Sequence, residues 1–197
     1  MYNCLISGVG GQGTVLASKI IAAAAMKQGF DARTTETIGM AQRGGSVTSH
    51  IRICKSISEI LSPIIPLKKA DSIIAFEPAE AVRQLPFLSA NGRLLVCDTA
   101  VMPTGSSSGS PPYEGPAMIG FLRENVPNLI VIGGDRIMER CAKALNVALL
   151  GAAAEGGAFP FGAGAIWEIL PEMIPERFLE LNAFAFDLGR SLYHEYN

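Results

Sequence analysis

Short apolar runs alternate along this chain with segments of helical periodicity. The runs predict β-strands at residues 2–7, 32–37, 72–76, 93–97 and 129–132. Helical patterns follow the first and third of these runs, at residues 14–28 with Gly29 as C-terminal cap and at residues 79–84. Such alternation is typical of βαβ units. The sequence therefore predicts an α/β, Rossmann-like fold with a mostly parallel sheet and helices on both faces.

Residues 46–53 show a different pattern, a strict alternation of side chains along an extended segment. Val47, Ser49, Ile51 and Ile53 fall on one face, and Ser46, Thr48, His50 and Arg52 fall on the other. Period-two alternation indicates a half-buried strand. We expect this strand at or near an edge of the sheet, with His50 at the surface or in an interface.

The C-terminal part is predicted to be helical. Apolar side chains recur in steps of three and four at Phe178, Leu181, Ala185, Leu188 and Leu192. Residues 104–116 are rich in Ser, Gly and Pro and form a connection too short to prove a second domain, so we expect one domain over residues 1–197. The apolar, glycine-containing segment 156–167 is a candidate partner contact, with a buried role inside this chain as the alternative.

The composition indicates a surface poor in charge. Only 17% of the 197 residues are charged while 49% are hydrophobic, and the mean hydropathy is +0.30. A partner covering part of the surface explains this, and so does a dense α/β core. The net charge of −2 favours neither nucleic acid nor a membrane as partner. The N-terminus lacks the basic region of a signal peptide, so we expect a cytoplasmic protein.

The four cysteines, Cys4, Cys54, Cys97 and Cys141, are far apart in the sequence and form no CxxC pair. We therefore expect no metal or iron–sulfur site built from this chain alone. Gly133-Gly134-Asp135 resembles a fragment of a thiamine diphosphate motif but lacks its residue order. We expect no thiamine site here either.

A glycine-rich turn joins the first predicted strand to the first predicted helix. Gly8, Gly10 and Gly13 match the GxGxxG spacing of dinucleotide-binding turns, and Gly11 and Gln12 lie between them. Backbone amides at such a turn can approach a phosphate.

In a dinucleotide-binding protein an acidic residue on the second strand would bind the ribose, and Glu36 follows Gly13 by 23 positions. One interpretation is thus an autonomous NAD- or FAD-dependent oxidoreductase. A nucleotide sensor or scaffold, or a turn that glycines merely shape, are the others.

A second glycine-bounded loop covers residues 39–45 and follows the second predicted strand. Arg43 offers a planar cation suited to a carboxylate or phosphate, and Gln42, Gly44 and Gly45 flank it. Ligands gather at the carboxyl ends of strands in open α/β sheets, so both loops are expected to line one crevice. The alternative is a bent connection in which Arg43 is only solvated.

Taken together, residues 8–13 and 39–46 resemble the small subunit of 2-oxoacid:ferredoxin oxidoreductases. The similarity is greatest to the beta subunits of the indolepyruvate enzymes, which are equivalent to the gamma subunits of pyruvate and 2-oxoglutarate enzymes. Residues 146–151 and 182–189 also resemble this family, so the resemblance spans essentially the whole chain.

The resemblance implies a non-autonomous subunit of an enzyme that oxidatively decarboxylates a 2-oxoacid, such as an arylpyruvate, to acyl-CoA and carbon dioxide. Thiamine diphosphate and the iron–sulfur clusters are then expected on a larger partner subunit, with ferredoxin as electron acceptor. Gly10, Gly11, Gln12 and Gly13 would present backbone amides and one side-chain amide at the crevice. Arg43, held by Gly44 and Gly45, would contact an anionic group of coenzyme A, the substrate carboxylate or the partner chain, and these three alternatives stay open. Self-association of the isolated chain also stays open.

Overall fold

The computed structural model describes residues 1–39, 45–101 and 113–196. Its centre is a six-stranded sheet in the order β2-β3-β1-β4-β5-β6. The strands are β1 (Tyr2–Val9), β2 (Asp31–Ile38), β3 (Ser46–Cys54), β4 (Ala70–Ala75), β5 (Leu88–Cys97) and β6 (Leu129–Ile132). Strands β1, β4, β5 and β6 pair in parallel, while β3 is antiparallel to both β1 and β2. The predicted α/β class with a mostly parallel sheet is confirmed.

Helices cover both faces of this sheet. They are α1 (Thr14–Lys27), α2 (Pro78–Gln84), α3 (Gly115–Asn125), α4 (Asp135–Cys141), α5 (Leu145–Glu155), α6 (Gly164–Met173) and α7 (Leu179–Tyr196). Helix α3 is absent from the sequence prediction, because Gly115, Pro116 and Gly120 obscure the apolar spacing of Ile119 and Leu122. Among the described residues, no helix combines the length and apolar character that crossing a membrane requires.

Neighbouring residues of the central strands point into two separate cores. Ile6 and Ile74 belong to the larger core with α1, α5, α6 and α7. Leu5 and Ile73, their immediate neighbours in sequence, belong to the smaller core with α2 and α3. Because alternate residues of a strand face opposite sides, both sides of the sheet are apolar and both are covered.

The prediction of a half-buried β3 is wrong. Both of its faces are covered, and His50 on the polar face is only 4% exposed, so its prediction as a surface or interface residue is wrong too. The Ile65 amide donates to His50 Nδ1 at 3.3 Å, and the Phe87 ring packs edge-on against the imidazole. The edge of the sheet is β2, while β3 lies second from it.

Helices α5 and α7 pack with their backbones in contact. A Cβ atom placed on Gly151 would lie 2.1 Å from the carbonyl oxygen of Phe186, and one placed on Gly189 would lie 1.8 Å from that of Ala148. Only glycine permits this approach, since real Cβ atoms do not come so close to backbone oxygens. The glycines that end the two C-terminal segments of family resemblance therefore set the distance between these helices.

Candidate functional site

The glycine turn lies where the connections of the sheet change direction. From β1 the chain passes through α1 to β2 on one side, while β4 pairs with the other side of β1. Ligand crevices of open α/β sheets form at such points, outside the carboxyl ends of the strands. Gly11 and Gly13 adopt φ values of 103° and 79°, which favour glycine.

A hydrogen bond joins the two predicted loops. The Gly10 amide donates to the carbonyl oxygen of Gly45 at 2.8 Å, so the structure brings Gly45 beside the first turn. Gln42, Arg43 and Gly44 lie outside the described residues. The Gln12 amide donates to the Val9 carbonyl at 3.2 Å. The amides of Gly10 and Gln12 are thus engaged within the protein.

The Gln12 side chain ties the ends of β1 and β4 together. Its Oε1 accepts from the Val9 amide at 2.8 Å, and its Nε2 donates to the Phe76 carbonyl at 3.2 Å. A Cβ on Gly8 would meet this Gln12 oxygen at 2.7 Å. Gly8 therefore leaves the space that Gln12 needs to form the bridge.

A groove of about 570 Å³ opens between the glycine turn and the starts of α5 and α7. It is formed by the start of α1, the chain after β5, the segment from α4 to the start of α5, and the segment from the end of α6 to the start of α7. Its lining residues include Gly11, Gln12, Gly13, Leu16, Thr99, Lys143, Asn146, Phe178 and Asn182. Both segments of C-terminal resemblance thus begin, with their asparagines, at the same groove as the glycine turn.

The groove places two groups that favour an anion, Lys143 and the start of α1, beside two asparagine side chains and apolar walls. Asn146, only 5% exposed, donates from Nδ2 to the Gly13 carbonyl at 3.3 Å, and Asn182 donates to the Phe178 carbonyl at 2.8 Å. Within the described ranges, no hydrogen bond reaches the Oδ1 atom of either asparagine, and no carboxylate pairs with Lys143. Helix α1 has no side-chain cap, so its first amides are open to a negatively charged group.

Buried carboxylates occupy the opposite side of the turn, after β4. Glu77 accepts hydrogen bonds from the Tyr113 hydroxyl and from the Glu80 amide, and Glu80 accepts from Ser46 Oγ at 2.6 Å and from Arg83. Burial raises the pKa of the Glu77 carboxyl and of the Tyr113 hydroxyl. A side lined by two carboxyl groups suits an anion less well than the groove beside Lys143.

Glu36 does not take the position that ribose binding requires. In the dinucleotide-binding order the second strand pairs directly with the first, whereas β3 lies between them here. Glu36 on β2 is therefore two strand spacings, roughly 10 Å, from β1. Its carboxylate accepts a long hydrogen bond of 3.3 Å from Ser18 Oγ.

The cysteines do not suit metal or cluster binding by this chain. All four are buried and free, and burial raises the pKa of each thiol, that of Cys4 to about 12. Thiolate is the form that binds a metal, so these positions disfavour ligation. In the described part of the chain, no three His, Cys, Asp or Glu residues come together in a metal-binding group.

Sequence reasoning missed three groove residues as functional candidates, Lys143, Asn146 and Asn182. Asn146 and Asn182 had a signal, because each begins a segment of family resemblance. Lys143 had no such signal, because it lies before the segment of resemblance that begins at Asn146 and belongs to no motif.

A profile of the pyruvate ferredoxin/flavodoxin oxidoreductase family matches residues 3–192. The chain belongs to this family. Subunit IorB of the indolepyruvate oxidoreductase of Archaeoglobus fulgidus is 37% identical over 190 residues, covering 95% of this chain and 92% of that one. IorB of Methanothermobacter thermautotrophicus is 36% identical over 192 residues, covering 95% of both chains. The resemblance found in the sequence is confirmed.

Solved structures share the fold of this family member. The gamma subunit of keto/oxoacid ferredoxin oxidoreductase from Geobacter sulfurreducens superposes with a TM-score of 0.67 at 22% identity, covering 99% of each chain. Subunit PORC of the Thermotoga maritima pyruvate oxidoreductase gives 0.66 at 20% identity, covering 98% of this chain and 95% of that one. The 2-oxoglutarate:ferredoxin oxidoreductase of Magnetococcus marinus was solved with 2-oxoglutarate, coenzyme A and succinyl-CoA. It superposes with a TM-score of 0.68 at 18% identity, covering 100% of this chain and 31% of that one.

Proposed function

We propose that this chain is the non-autonomous small subunit of a thiamine-diphosphate-dependent 2-oxoacid:ferredoxin oxidoreductase. The observation that carries the proposal is the match of nearly the whole chain to nearly the whole of the curated IorB subunits. The buried, separated cysteines support the assignment of the iron–sulfur clusters to a larger partner subunit. The missing thiamine motif supports the same assignment for thiamine diphosphate, which supplies the chemistry of decarboxylation when bound there.

The substrates that we propose are arylpyruvates such as indolepyruvate, because the similar IorB subunits belong to indolepyruvate oxidoreductases. The carboxyl group of the 2-oxoacid leaves as carbon dioxide, and the remaining acyl group is joined to the thiol of coenzyme A. Iron–sulfur clusters on the partner subunit would supply the electron transfer from this oxidation to ferredoxin. The part of this chain is to complete the complex and to hold one reactant.

We assign the groove to the phosphate-bearing end of coenzyme A. The start of α1 and the ammonium group of Lys143 favour negative charge. The amide oxygens of Asn146 and Asn182 accept hydrogen bonds, so they suit N–H or hydroxyl groups of coenzyme A rather than its phosphates. Gly11, Gln12 and Gly13 line the groove, while Gly8 leaves room for the Gln12 side chain and Gly10 is hydrogen-bonded to Gly45. Gln42, Arg43, Gly44 and Gly45 form the second loop, whose end is hydrogen-bonded to Gly10, and Arg43 is proposed to contact the same anion.

Reconstitution tests the function. The chain is to be co-expressed with the candidate large subunit of the same organism, and reduction of ferredoxin is measured with indolepyruvate and with pyruvate in the presence of coenzyme A. We expect activity only when both chains are present, with a higher kcat/KM for the aryl substrate. Two folded chains that never co-purify and are inactive on every 2-oxoacid together contradict the proposal.

The ligand of the groove is tested in the same reconstituted enzyme. Lys143→Ala is expected to raise the KM for coenzyme A about ten-fold, the loss of one charge-assisted contact, with little change in kcat. Lys19→Ala removes an exposed lysine from α1 outside the groove and serves as control. A rise in the KM for the 2-oxoacid instead would assign the groove to the substrate carboxylate, and loss of the complex would assign it to the partner chain.

A further inference from the structure

A second, smaller pocket lies between α6 and α7, away from the glycine turn. Its volume is about 320 Å³, and it is lined by Trp167, Leu170, Pro171, Leu179, Glu180 and Ala183. The Trp167 ring packs against the buried Phe186 ring with a centroid distance of 5.6 Å, yet Trp167 remains 44% exposed. The pocket therefore presents an indole ring to whatever enters it.

Two other exposed aromatic rings near this pocket already carry a cation from the same chain. The Arg140 guanidinium lies over the Phe184 ring at 4.6 Å, and the Arg177 guanidinium lies over the Phe178 ring at 4.7 Å. Tryptophan binds cations more strongly than phenylalanine. Nevertheless, no cation of the described residues lies over Trp167.

Two acceptors accompany the indole ring. Pro171 lies inside α6 and has no N–H, so the Trp167 carbonyl oxygen lacks the donor that its helix would otherwise provide. Glu180 is the charged residue of the pocket lining, and no ion pair within the described ranges involves it. The nearby Lys27 is engaged with Glu172 at 2.7 Å.

We infer that this pocket receives an arginine side chain of the large subunit. A guanidinium group can stack on an indole face and pair with a carboxylate at the same time, which matches the Trp167 ring and the Glu180 carboxylate of the pocket lining. Trp167 is also the exposed end of segment 156–167, the segment predicted from sequence to contact a partner. Three other residues of segment 156–167 do not face a partner but are buried within this chain: Ala158, Phe159 and Ile166. The inference rests on the proposed function, because it presupposes that the large subunit binds.

The chain contains a single tryptophan, which makes the pocket directly observable. Incorporation of 5-fluorotryptophan into this chain alone gives one fluorine NMR signal, from Trp167. Addition of the unlabelled large subunit is expected to shift this signal. A shift that instead accompanies dimerisation of this chain alone, measured by sedimentation, would mean that a second copy occupies the pocket and would overturn the inference.

Affinity measurements complete the test. Trp167→Ala is expected to weaken binding of the large subunit by on the order of thirty-fold, as for a buried aromatic anchor, and Glu180→Gln by about ten-fold. Glu124→Gln, at an exposed position of α3 on the opposite face of the sheet, is the matched control and is expected to bind normally. Thermal unfolding of each variant identifies a folding defect, and Glu180→Gln changes only an exposed side chain.

The possible failures are distinguishable. If the complex forms but Glu180→Gln and Trp167→Ala bind as tightly as the unmodified chain, the pocket assignment is wrong while the proposed function stands. If the unmodified chains do not bind each other at all, the proposed function fails and the pocket assignment fails with it.

Discussion

Asn146 donates a hydrogen bond from Nδ2 to the carbonyl oxygen of Gly13 at 3.3 Å. This contact ties the start of α5 to the glycine turn, 133 residues earlier in the chain. A Cβ atom on Gly13 would lie 2.7 Å from the same Nδ2 atom, and Gly13 has a φ of 79°. The turn and the asparagine are therefore fitted to each other at the groove.

Gly13→Ala is expected to destabilise the protein by about 3 kcal/mol, because alanine is strained at this φ and its methyl group collides with Asn146. Urea unfolding measures the change. Asn146→Ala removes the collision but not the backbone strain at residue 13. The double variant should therefore lose about 1 kcal/mol less unfolding free energy than the sum of the two single effects. Simple additivity of the two single effects would show that the residues are not coupled.

Gly189→Ala is expected to cost at least about 3 kcal/mol, because its Cβ would lie 1.8 Å from the Ala148 carbonyl and force α5 and α7 apart. Gly120→Ala in α3 is the matched control, since its Cβ meets no atom within 4 Å. It should instead stabilise the protein by about 0.5–1 kcal/mol through helix propensity. Equal effects of both substitutions on the unfolding free energy would refute the close packing of the two helices.

Gln12→Ala is expected to cost about 2 kcal/mol, because it removes the partners of the Val9 amide and of the Phe76 carbonyl together. Gln28→Ala, at the exposed end of α1, should change the unfolding free energy by less than about 0.5 kcal/mol. Amide hydrogen exchange at Val9 gives a second measurement and should accelerate only in Gln12→Ala. Unchanged protection at Val9 would mean that the bridge does not form in solution.

His50 is expected to make the protein less stable in mild acid. Burial lowers the pKa of its imidazole below the ordinary value of 6.5, so below that pH the unfolded chain binds a proton that the folded chain does not. Stability should therefore fall from about pH 6.5 downward, by at most about 1.4 kcal/mol per pH unit. Above this pH His50 is neutral in both states and contributes no pH dependence.

Unfolding free energies measured between pH 7 and about pH 5.5 test this expectation. His50→Gln should flatten the decline, since glutamine does not titrate. His194→Gln alters an exposed histidine that pairs with Glu155, so it should leave the decline due to His50 in place. A decline that persists unchanged in His50→Gln would assign it to other groups.

The fold could be predicted from local patterns. The apolar strands and the apolar stripe of α7 show within their own residues which sides are buried. The burial of His50 did not follow, since it depends on Ile65 and Phe87, which approach from later parts of the chain. Strand alternation alone does not reveal whether the polar face of β3 is covered. The position of β3 between β1 and β2 was likewise not predictable, because strand order depends on the topology of the whole sheet. This position moves Glu36 away from β1.

The candidate site could be predicted only in part. The glycine turn was recognisable, because its residues are contiguous and their spacing is constrained by the backbone. The pairing of Gly10 with Gly45 agrees with the expected meeting of the two loops. Lys143 and Glu77 reach opposite sides of the turn from distant helices, and no spacing in the sequence connects either residue with residues 8–13.

The central claim, that this chain completes an enzyme which is incomplete without it, is tested most directly by titration. The separately purified large subunit is held at a fixed concentration with indolepyruvate, coenzyme A and ferredoxin, and this chain is added in increasing amounts. We predict that ferredoxin reduction rises from a negligible rate and saturates at a fixed ratio of the two chains. A large subunit that is fully active before any of this chain is added would contradict the account.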